Sequence, residues 1–376
     1  MFEILNDIWN DVRKKSVYWL AFVILFLIIY AIYYYFSPVY IYVVSSDCVK
    51  PSIIEGFADA YLPYFNSIMS IEVMDFVIAD TEEDVANFVQ KVRTDIHEGK
   101  RIVAIVGTDL SAETKKLLLE LSTRGMNIPV ISAVSSSPEL ANIYPYFFRI
   151  VFNDEMAVSA FARWYVEEGP AKPVIILVDS ENIIWSGSVA EIFQNTASNL
   201  VLTSTIVDLN DIYKVEEFVQ KALLSRELSP SDVYIFVIDH KLQNVLRVIY
   251  QLSDNYHNYL LTDAAVVRDF LYWLPDDIDV YAYYLPVPQG ADIGELDYGY
   301  DLSYDALSLV LNEVSSGARS PWLLATRLIN ADYNGRTGHI SFEYRNGVYE
   351  RVFSNISILR RDGEKWKVIW YQPTRR

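Results

Sequence analysis

The sequence predicts an α/β protein of two Rossmann-like lobes, each built on a parallel sheet, preceded by one transmembrane helix. Three observations predict it. Residues 17–36 carry no charge. From Val39 onward, short apolar runs alternate with segments of helical period, and the alternation starts afresh after Phe152. From Ser341 onward the pattern changes to apolar and polar residues in turn. Continuous apolar strands between helices mean a parallel sheet covered on both faces. A chain of 376 residues with so many strands exceeds one compact sheet of ordinary size, so two lobes are expected.

The N-terminal run comes first. Twenty residues at helical rise, from Val17 to Phe36, span about 30 Å, the thickness of a bilayer core. Arg13, Lys14 and Lys15 precede the run, the next basic residue is Lys50, and Tyr30, Tyr33, Tyr34 and Tyr35 crowd its outer end. The positive-inside rule then makes residues 1–16 a cytoplasmic segment and places everything after Phe36 outside. The expected location is the cell membrane, single-pass, with an extracytoplasmic ectodomain. A cleaved signal peptide fits less well, because the run exceeds the usual apolar core and no small-residue cleavage site follows. Ser45-Ser46-Asp47-Cys48 is a poor lipobox, with an acid before the cysteine.

Cys48 is the only cysteine, so no internal disulfide forms and a cysteine zinc site is excluded. The net charge of −18 belongs to the chain after the span, since Glu3, Asp7 and Asp11 offset the three basic residues before it. Such a surface repels phosphate backbones, so nucleic acid is not an expected partner.

The elements follow in order. Val39–Val44 reads as a strand, and a helix from Pro51 carries Ile53, Ile54, Phe57, Tyr61 and Phe65 on one stripe. A strand over Ile71–Ala79 precedes a helix capped by Thr81, with Val85, Phe88, Val89, Val92 and Ile96 at the 3.6 period. Arg101–Val106 is a strand ending at Gly107, a helix starts at Ser111, and Ile128–Ser132 is the next strand. After Phe152 come strands at Pro173–Asp179, Leu200–Val207, Val233–Ile238 and Asn258–Thr262. Asn346-Gly347 and Asp362-Gly363 read as hairpin turns in the tail.

Ligands of open α/β sheets bind beyond the carboxyl ends of the strands. Four groups sit there: Gly107–Ser111, Ser135-Ser136, Asp179 with Trp185-Ser186-Gly187, and Asp263. A helix N-terminus at Ser111 suits a carboxylate. Each group has a plainer reading. Ser111 or Asp109 caps a helix, Ser135-Ser136 forms a turn before Pro138, Trp185 packs on a rim, and Asp263 is an N-cap. Asp239 rivals Asp263. Tyr281, Tyr283 and Tyr284 lie on a strand approaching a lobe crossing.

The string from Ile128 to Phe152, with its serine cluster, Pro138-Glu139-Leu140 and Tyr144-Pro145-Tyr146-Phe147-Phe148-Arg149, resembles a segment of the type I periplasmic binding proteins. Ile54-Glu55-Gly56, Tyr304-Asp305-Ala306 and Thr337-Gly338 with Phe342 are similar to further motifs of that family. The resemblance covers residues 38–376. It implies lobes of 38–150 plus 285–333 and 151–284 plus 334–376, joined by a three-strand hinge crossing near 150–153, 281–286 and 332–337. It implies that Ser111, Ser135 and Ser136 hold a ligand carboxylate, that Asp263 pairs an ammonium, and that Trp185 covers the ligand, with Tyr283 in the cleft. The altered loop at Ser45–Cys48 departs from the family pattern.

The implied function is capture of a small solute, an amino acid or similar carboxylate, by lobe closure and its delivery to the permease of an ABC transporter. The alternative is the same fold reused as a cell-envelope interaction module or sensory ectodomain. An enzyme is not expected. The histidines, His97, His240, His257 and His339, have no metal-ligand spacing, and no phosphate-loop, dinucleotide or nucleophile-elbow motif is present. No cofactor is expected.

Overall fold

Apolar strands and amphipathic helices alternate along the chain as their periods dictate. The computed structural model describes residues 19–20, 22–30, 32–33, 36–46, 51–64, 70–78, 81–267, 269–287, 297–353 and 355–373. The first lobe opens with β1 (Val39–Ser46), α1 (Pro51–Tyr61), β2 (Ile71–Ile78), α2 (Glu82–His97), β3 (Ile102–Gly107), α3 (Ser111–Thr123), β4 (Val130–Ser132) and β5 (Phe147–Arg149). The second lobe follows with α4 (Asp154–Glu167), β6 (Val174–Asp179), α5 (Ile183–Thr196), β7 (Val201–Val207) and α6 (Ile212–Leu224). It continues through β8 (Tyr234–Ile238), α7 (Leu242–Leu252), β9 (Asn258–Leu261) and β10 (Asp279–Tyr284). Helices α8 (Tyr298–Ser315) and α9 (Pro321–Ile329) come next, then three hairpins. These are β11 (Tyr333–Gly335) with β12 (Gly338–Ile340), β13 (Phe342–Arg345) with β14 (Val348–Arg351), and β15 (Asn355–Asp362) with β16 (Lys365–Pro373).

Two seven-stranded sheets result. Their orders are β13-β14-β5-β4-β3-β1-β2 and β16-β15-β10-β9-β8-β6-β7. The pairings from β5 to β2 and from β10 to β7 are all parallel, and the interior strands β3 and β8 are apolar and buried on both faces because helices cover both. The pleat of β1 divides its side chains: Ile41 and Val43 join Ile53 and Phe57 of α1, whereas Tyr42 and Val44 join Phe88 and Val89 of α2. Fully burying each large side chain contributes about 1.5–3 kcal/mol.

Helix α2 shows how local signals work. Thr81 Oγ1 accepts the Asp84 N–H at 3.1 Å and starts the helix. Val85, Phe88, Val89 and Val92 are fully buried along its stripe. Ile96, expected on the same stripe, is 42 % exposed. The last turn buries Asp95 instead, because the Tyr42 hydroxyl and Lys100 Nζ (2.6 Å) both donate to its carboxylate.

One expected crossing moves. The third was placed near 332–337, which assigned 334–376 to the second lobe. The β13–β14 hairpin instead extends the first sheet, with β14 parallel to β5. Phe148 stacks on Tyr349 at 4.7 Å and meets Phe342 edge-on at 5.4 Å. The passage into the second sheet therefore lies between Arg351 and Asn355. Alternating patterning marks a hairpin but not which sheet edge receives it.

The membrane span expected over residues 17–36 lies partly outside the described residues, as do Cys48 and Phe65. Residues 22–30 are helical with their apolar side chains exposed. Among the described residues, no helix is long and apolar enough to cross a membrane.

Candidate functional site

A cavity of about 540 Å³ opens between the lobes at the carboxyl ends of both parallel sheets. The first lobe supplies Ser46 from the end of β1, Asp109 and Ser111 from the β3–α3 turn, and Ser136 from the loop after β4. The second supplies Asn182 and Trp185 from the β6–α5 connection, His240 and Lys241 from β8–α7, and Asp263 from the turn after β9. Tyr298, at the start of α8, closes one side. Four of the six residues expected from sequence therefore share one wall or the other: Ser111 and Ser136 face Trp185 and Asp263.

Ser135 and Tyr283 do not line the cavity. Ser135 is buried and committed to structure: its Oγ lies 2.7 Å from Thr114 Oγ1 and 3.0 Å from the Thr108 carbonyl. Its backbone N–H donates to Ser132 Oγ at 3.1 Å, and the side-chain cap before Pro138 is Ser137 rather than Ser135 or Ser136. Tyr283 is packed among Phe152 and Phe161 behind the cavity. An interior strand residue alternates faces, and position 283 takes the face covered by α4.

The serine loop is held from beneath. Arg149, fully buried, donates to the carbonyls of Ser136 (3.1 Å) and Ser137 (3.0 Å), and Glu350 lies 3.7 Å from it. The Ser136 hydroxyl donates to Asp154 Oδ2 at 2.9 Å. Ser137 Oγ donates across the interface to the Ile184 carbonyl at 3.2 Å, so the lobes touch beside the cavity.

Three of the helices that begin on the wall share one property. The N-cap residues of α3, α5 and α7 are Leu110, Asn182 and Lys241, and none of them caps its helix with its side chain. Helices α2, α6 and α9, which begin elsewhere, are capped by Thr81, Asp211 and Ser320. Ser111 is thus the first residue of α3 and not its cap. Asp263 likewise follows the cap position, Thr262, of a short 3₁₀ turn. Helix N-termini carry unpaired N–H groups and a partial positive charge.

The acidic groups are the other half of the chemistry. Burial pushes the Asp154 carboxyl up to about 8, and the charge of Asp263 adds to this, against the Ser136 hydroxyl, Arg149 and Trp185. Burial likewise raises the Tyr283 and Tyr298 phenols well above their usual range, and the Asp263 charge raises both further. Asp109 keeps some exposure to the cavity. Enclosure still pushes it up to about 7, although it accepts the Ser46 N–H at 3.1 Å.

Asp179, Asp239 and His240 place possible metal-ligand atoms within 4.8 Å of one another. Their carboxylates are already used. Asp179 Oδ2 accepts the Asn182 N–H at 3.2 Å, while Asp239 accepts from the Lys241 N–H at 2.7 Å and Asn244 Nδ2 at 2.8 Å. Burial pushes both upward. In Asp179 the contacts with His240 and backbone N–H groups outweigh burial and leave it below its ordinary value. Asp239 rises to about 6 because burial and the Asp179 charge act together. These acids order the starts of α5 and α7.

Sequence reading missed Asn182, Tyr298 and Asp154, and placed Asp109 in the Gly107–Ser111 turn without giving it a role of its own beyond a possible cap. Asn182 is the N-cap residue of α5 and Tyr298 follows Asp297, the N-cap of α8, a signal available in the sequence but shared with many structural caps.

No family model matches the chain, and no curated protein matches it. Solved structures do. A leucine-binding protein from Thermotoga maritima superposes with a TM-score of 0.70 at 16% identity, covering 89% of this chain and 99% of that one. The branched-chain amino-acid transporter substrate-binding protein from Streptococcus pneumoniae, in complex with isoleucine, gives 0.69 at 14% identity, covering 90% and 99%. An R. palustris solute-binding protein in complex with 4-hydroxybenzoate gives 0.69 at 12% identity, covering 90% and 97%. The two lobes, their sheet order and the cleft between them are the type I periplasmic-binding-protein fold.

Proposed function

We propose that this chain is a solute-binding protein that captures a small zwitterion, an amino acid or close analogue, by closing its lobes. It would deliver the ligand to the permease of an ABC transporter while residues 17–36 hold it at the membrane. The observation that supports this reading most is the pairing of opposite polarities on one cavity. Helices α3, α5 and α7 start there without side-chain caps, which favours a carboxylate. Asp263 lies on the second lobe's wall, which favours an ammonium. Trp185 gives an apolar face of the kind such pockets use for orientation. The cavity volume, about 540 Å³, is within the usual range for small-molecule sites.

The structural relatives, a leucine-binding protein, a branched-chain amino-acid transporter substrate-binding protein with isoleucine and an ABC-transporter solute-binding protein with 4-hydroxybenzoate, support solute capture as a class. The direct test is calorimetric titration of the full chain in detergent against the common L-amino acids and small aromatic acids. Saturable binding of an amino acid, weakened in Asp263→Asn, is the expected result. No binding to any of them would leave the interaction-module or sensory reading in its place. For the anchor, the full chain should sediment with membranes and a variant lacking residues 1–37 should not.

A further inference from the structure

A zwitterion leaves one group of this cavity unaccounted for. Asp263, with Asp154 behind it, answers an ammonium on the second lobe. Asp109 stands on the opposite lobe, at the start of α3, and its carboxylate also lines the cavity. Among the described residues it has no cationic partner; its hydrogen bonds come from the N–H and hydroxyl of Ser46. Lys241, on the same cavity, already pairs with Glu181. An unmet acceptor points the same way. Asn182 is 3 % exposed and lines the cavity, and its side-chain Oδ1 has no hydrogen-bond donor. A buried acceptor left without a donor costs about 1–3 kcal/mol, so a ligand supplying N–H groups is favoured there.

We infer that the ligand carries a second cationic group, taken by Asp109 with Asn182 accepting a further N–H, and that it is a small basic amino acid. The inference rests on the solute-binding reading and specifies the ligand's side chain. The α-ammonium goes to Asp263, the carboxylate to the uncapped helix starts, and the side-chain cation to the first lobe. A neutral ligand of leucine's shape would bury Asp109 against hydrocarbon. Enclosure has already raised that carboxyl to about 7 without a ligand, and an approaching cation reverses this by favouring the ionised form.

The test is calorimetric titration of the full chain with L-ornithine, L-lysine, L-leucine and 1,4-diaminobutane, repeated on Asp109→Asn. The expected result is that ornithine or lysine binds at least about tenfold more tightly than leucine, and that Asp109→Asn removes most of this preference by weakening the basic amino acids without weakening leucine. If leucine binds as well as the basic amino acids, the inference is overturned and the solute-binding reading stands. If Asp109→Asn weakens leucine and lysine equally, Asp109 is structural and the inference fails. Binding of the diamine but of no amino acid would keep the second cation subsite and remove carboxylate capture from the function. If none of the four binds, the inference fails, and the solute-binding reading is decided by the wider titration against the other amino acids and the aromatic acids. Asp109→Asn keeps the size of the side chain and its acceptor oxygen toward Ser46, and the wild-type ligand comparison decides the matter without it.

Discussion

The Asp305 carboxylate accepts the backbone N–H of Thr337 at 2.8 Å, and that of Arg336 at 2.7 Å. Two motifs that resemble the binding-protein family in sequence are therefore one contact in space. Arg351 completes it, donating to the Thr337 carbonyl at 2.8 Å and to its Oγ1 at 2.7 Å. Helix α8, the β11–β12 turn and strand β14 are tied at one point. A Cβ added at Gly335 would lie 2.4 Å from the carboxylate, so the chain passes where a side chain does not fit.

Asp305→Ala should destabilise the protein by about 1–3 kcal/mol, because two part-buried N–H groups and the Arg351 guanidinium lose the carboxylate that organises them. A lower urea midpoint at unchanged slope is the expected readout. A midpoint equal to that of the wild type would show that water replaces the carboxylate without cost.

Gly56 makes a second close approach. A Cβ there would sit 2.4 Å from the Tyr300 carbonyl oxygen, in the contact between α1 and α8. Gly56→Ala gains about 1 kcal/mol of helix propensity but forces two backbones apart, an overpacking cost of about 1–3 kcal/mol or more. Net destabilisation is expected, with weaker ligand binding, since both helices start on the cavity. Gly187→Ala in α5 is the control. Its Cβ would meet only the Ile183 side chain, Cδ1 at 3.4 Å and Cγ1 at 3.7 Å, and a neutral or stabilising change is expected in the same urea experiment.

These contacts explain what was legible. Gly56, Asp305 and Thr337 are read from sequence because tight backbone approaches restrict residue type. The fold followed from such positions together with apolar periodicity. The cavity was half legible. Ser111, Ser136, Trp185 and Asp263 follow strand ends, and the chain's topology brings them together. Ser135 and Ser136 look equivalent in sequence, yet one hydroxyl turns to Thr114 and the other to Asp154. Side-chain direction at an irregular loop depends on contacts remote in sequence. For the same reason the hairpin at Asn346-Gly347 was recognised, with both residues at positive φ, but its sheet was not.

Arg149 is the contact on which the serine loop depends. Arg149→Met would fill much of the space but leave the Ser136 and Ser137 carbonyls, Glu350 and Asp154 without their cation. Removing one partner of a buried charged network costs about 3–5 kcal/mol. A large fall in the unfolding midpoint is expected, together with lost ligand affinity in whatever fraction stays folded. Retention of both would mean that the hydrogen bonds from the Ser137 N–H to Ser111 Oγ and from the Ser136 hydroxyl to Asp154 hold the loop without the guanidinium.

The last prediction concerns pH. The Asp154 carboxyl is raised from its ordinary 3.8 to about 8 in the folded chain, and that of Asp109 to about 7. For an acid raised in this way, the folded state holds its proton over a range in which the unfolded chain has lost it. Stability is therefore greatest at low pH within this range, falls as pH rises from the unfolded value toward the folded one, and levels off above about pH 8. Asp179, held below its ordinary value, acts oppositely but only at more acid pH. The ligand-free protein should lose thermal stability steadily between about pH 5 and pH 8. Asp154→Asn, which stays uncharged, should flatten most of that slope and raise the melting temperature at about pH 8, while weakening capture of a cationic ligand. Conversely, a saturating cationic ligand should flatten the wild-type slope, because it supplies the counter-charge that burial withholds. A wild-type melting temperature that is level or rises across this range, or an unchanged slope in Asp154→Asn, would show that the carboxyl ionises normally and that the floor of the cavity is wetter than its burial implies.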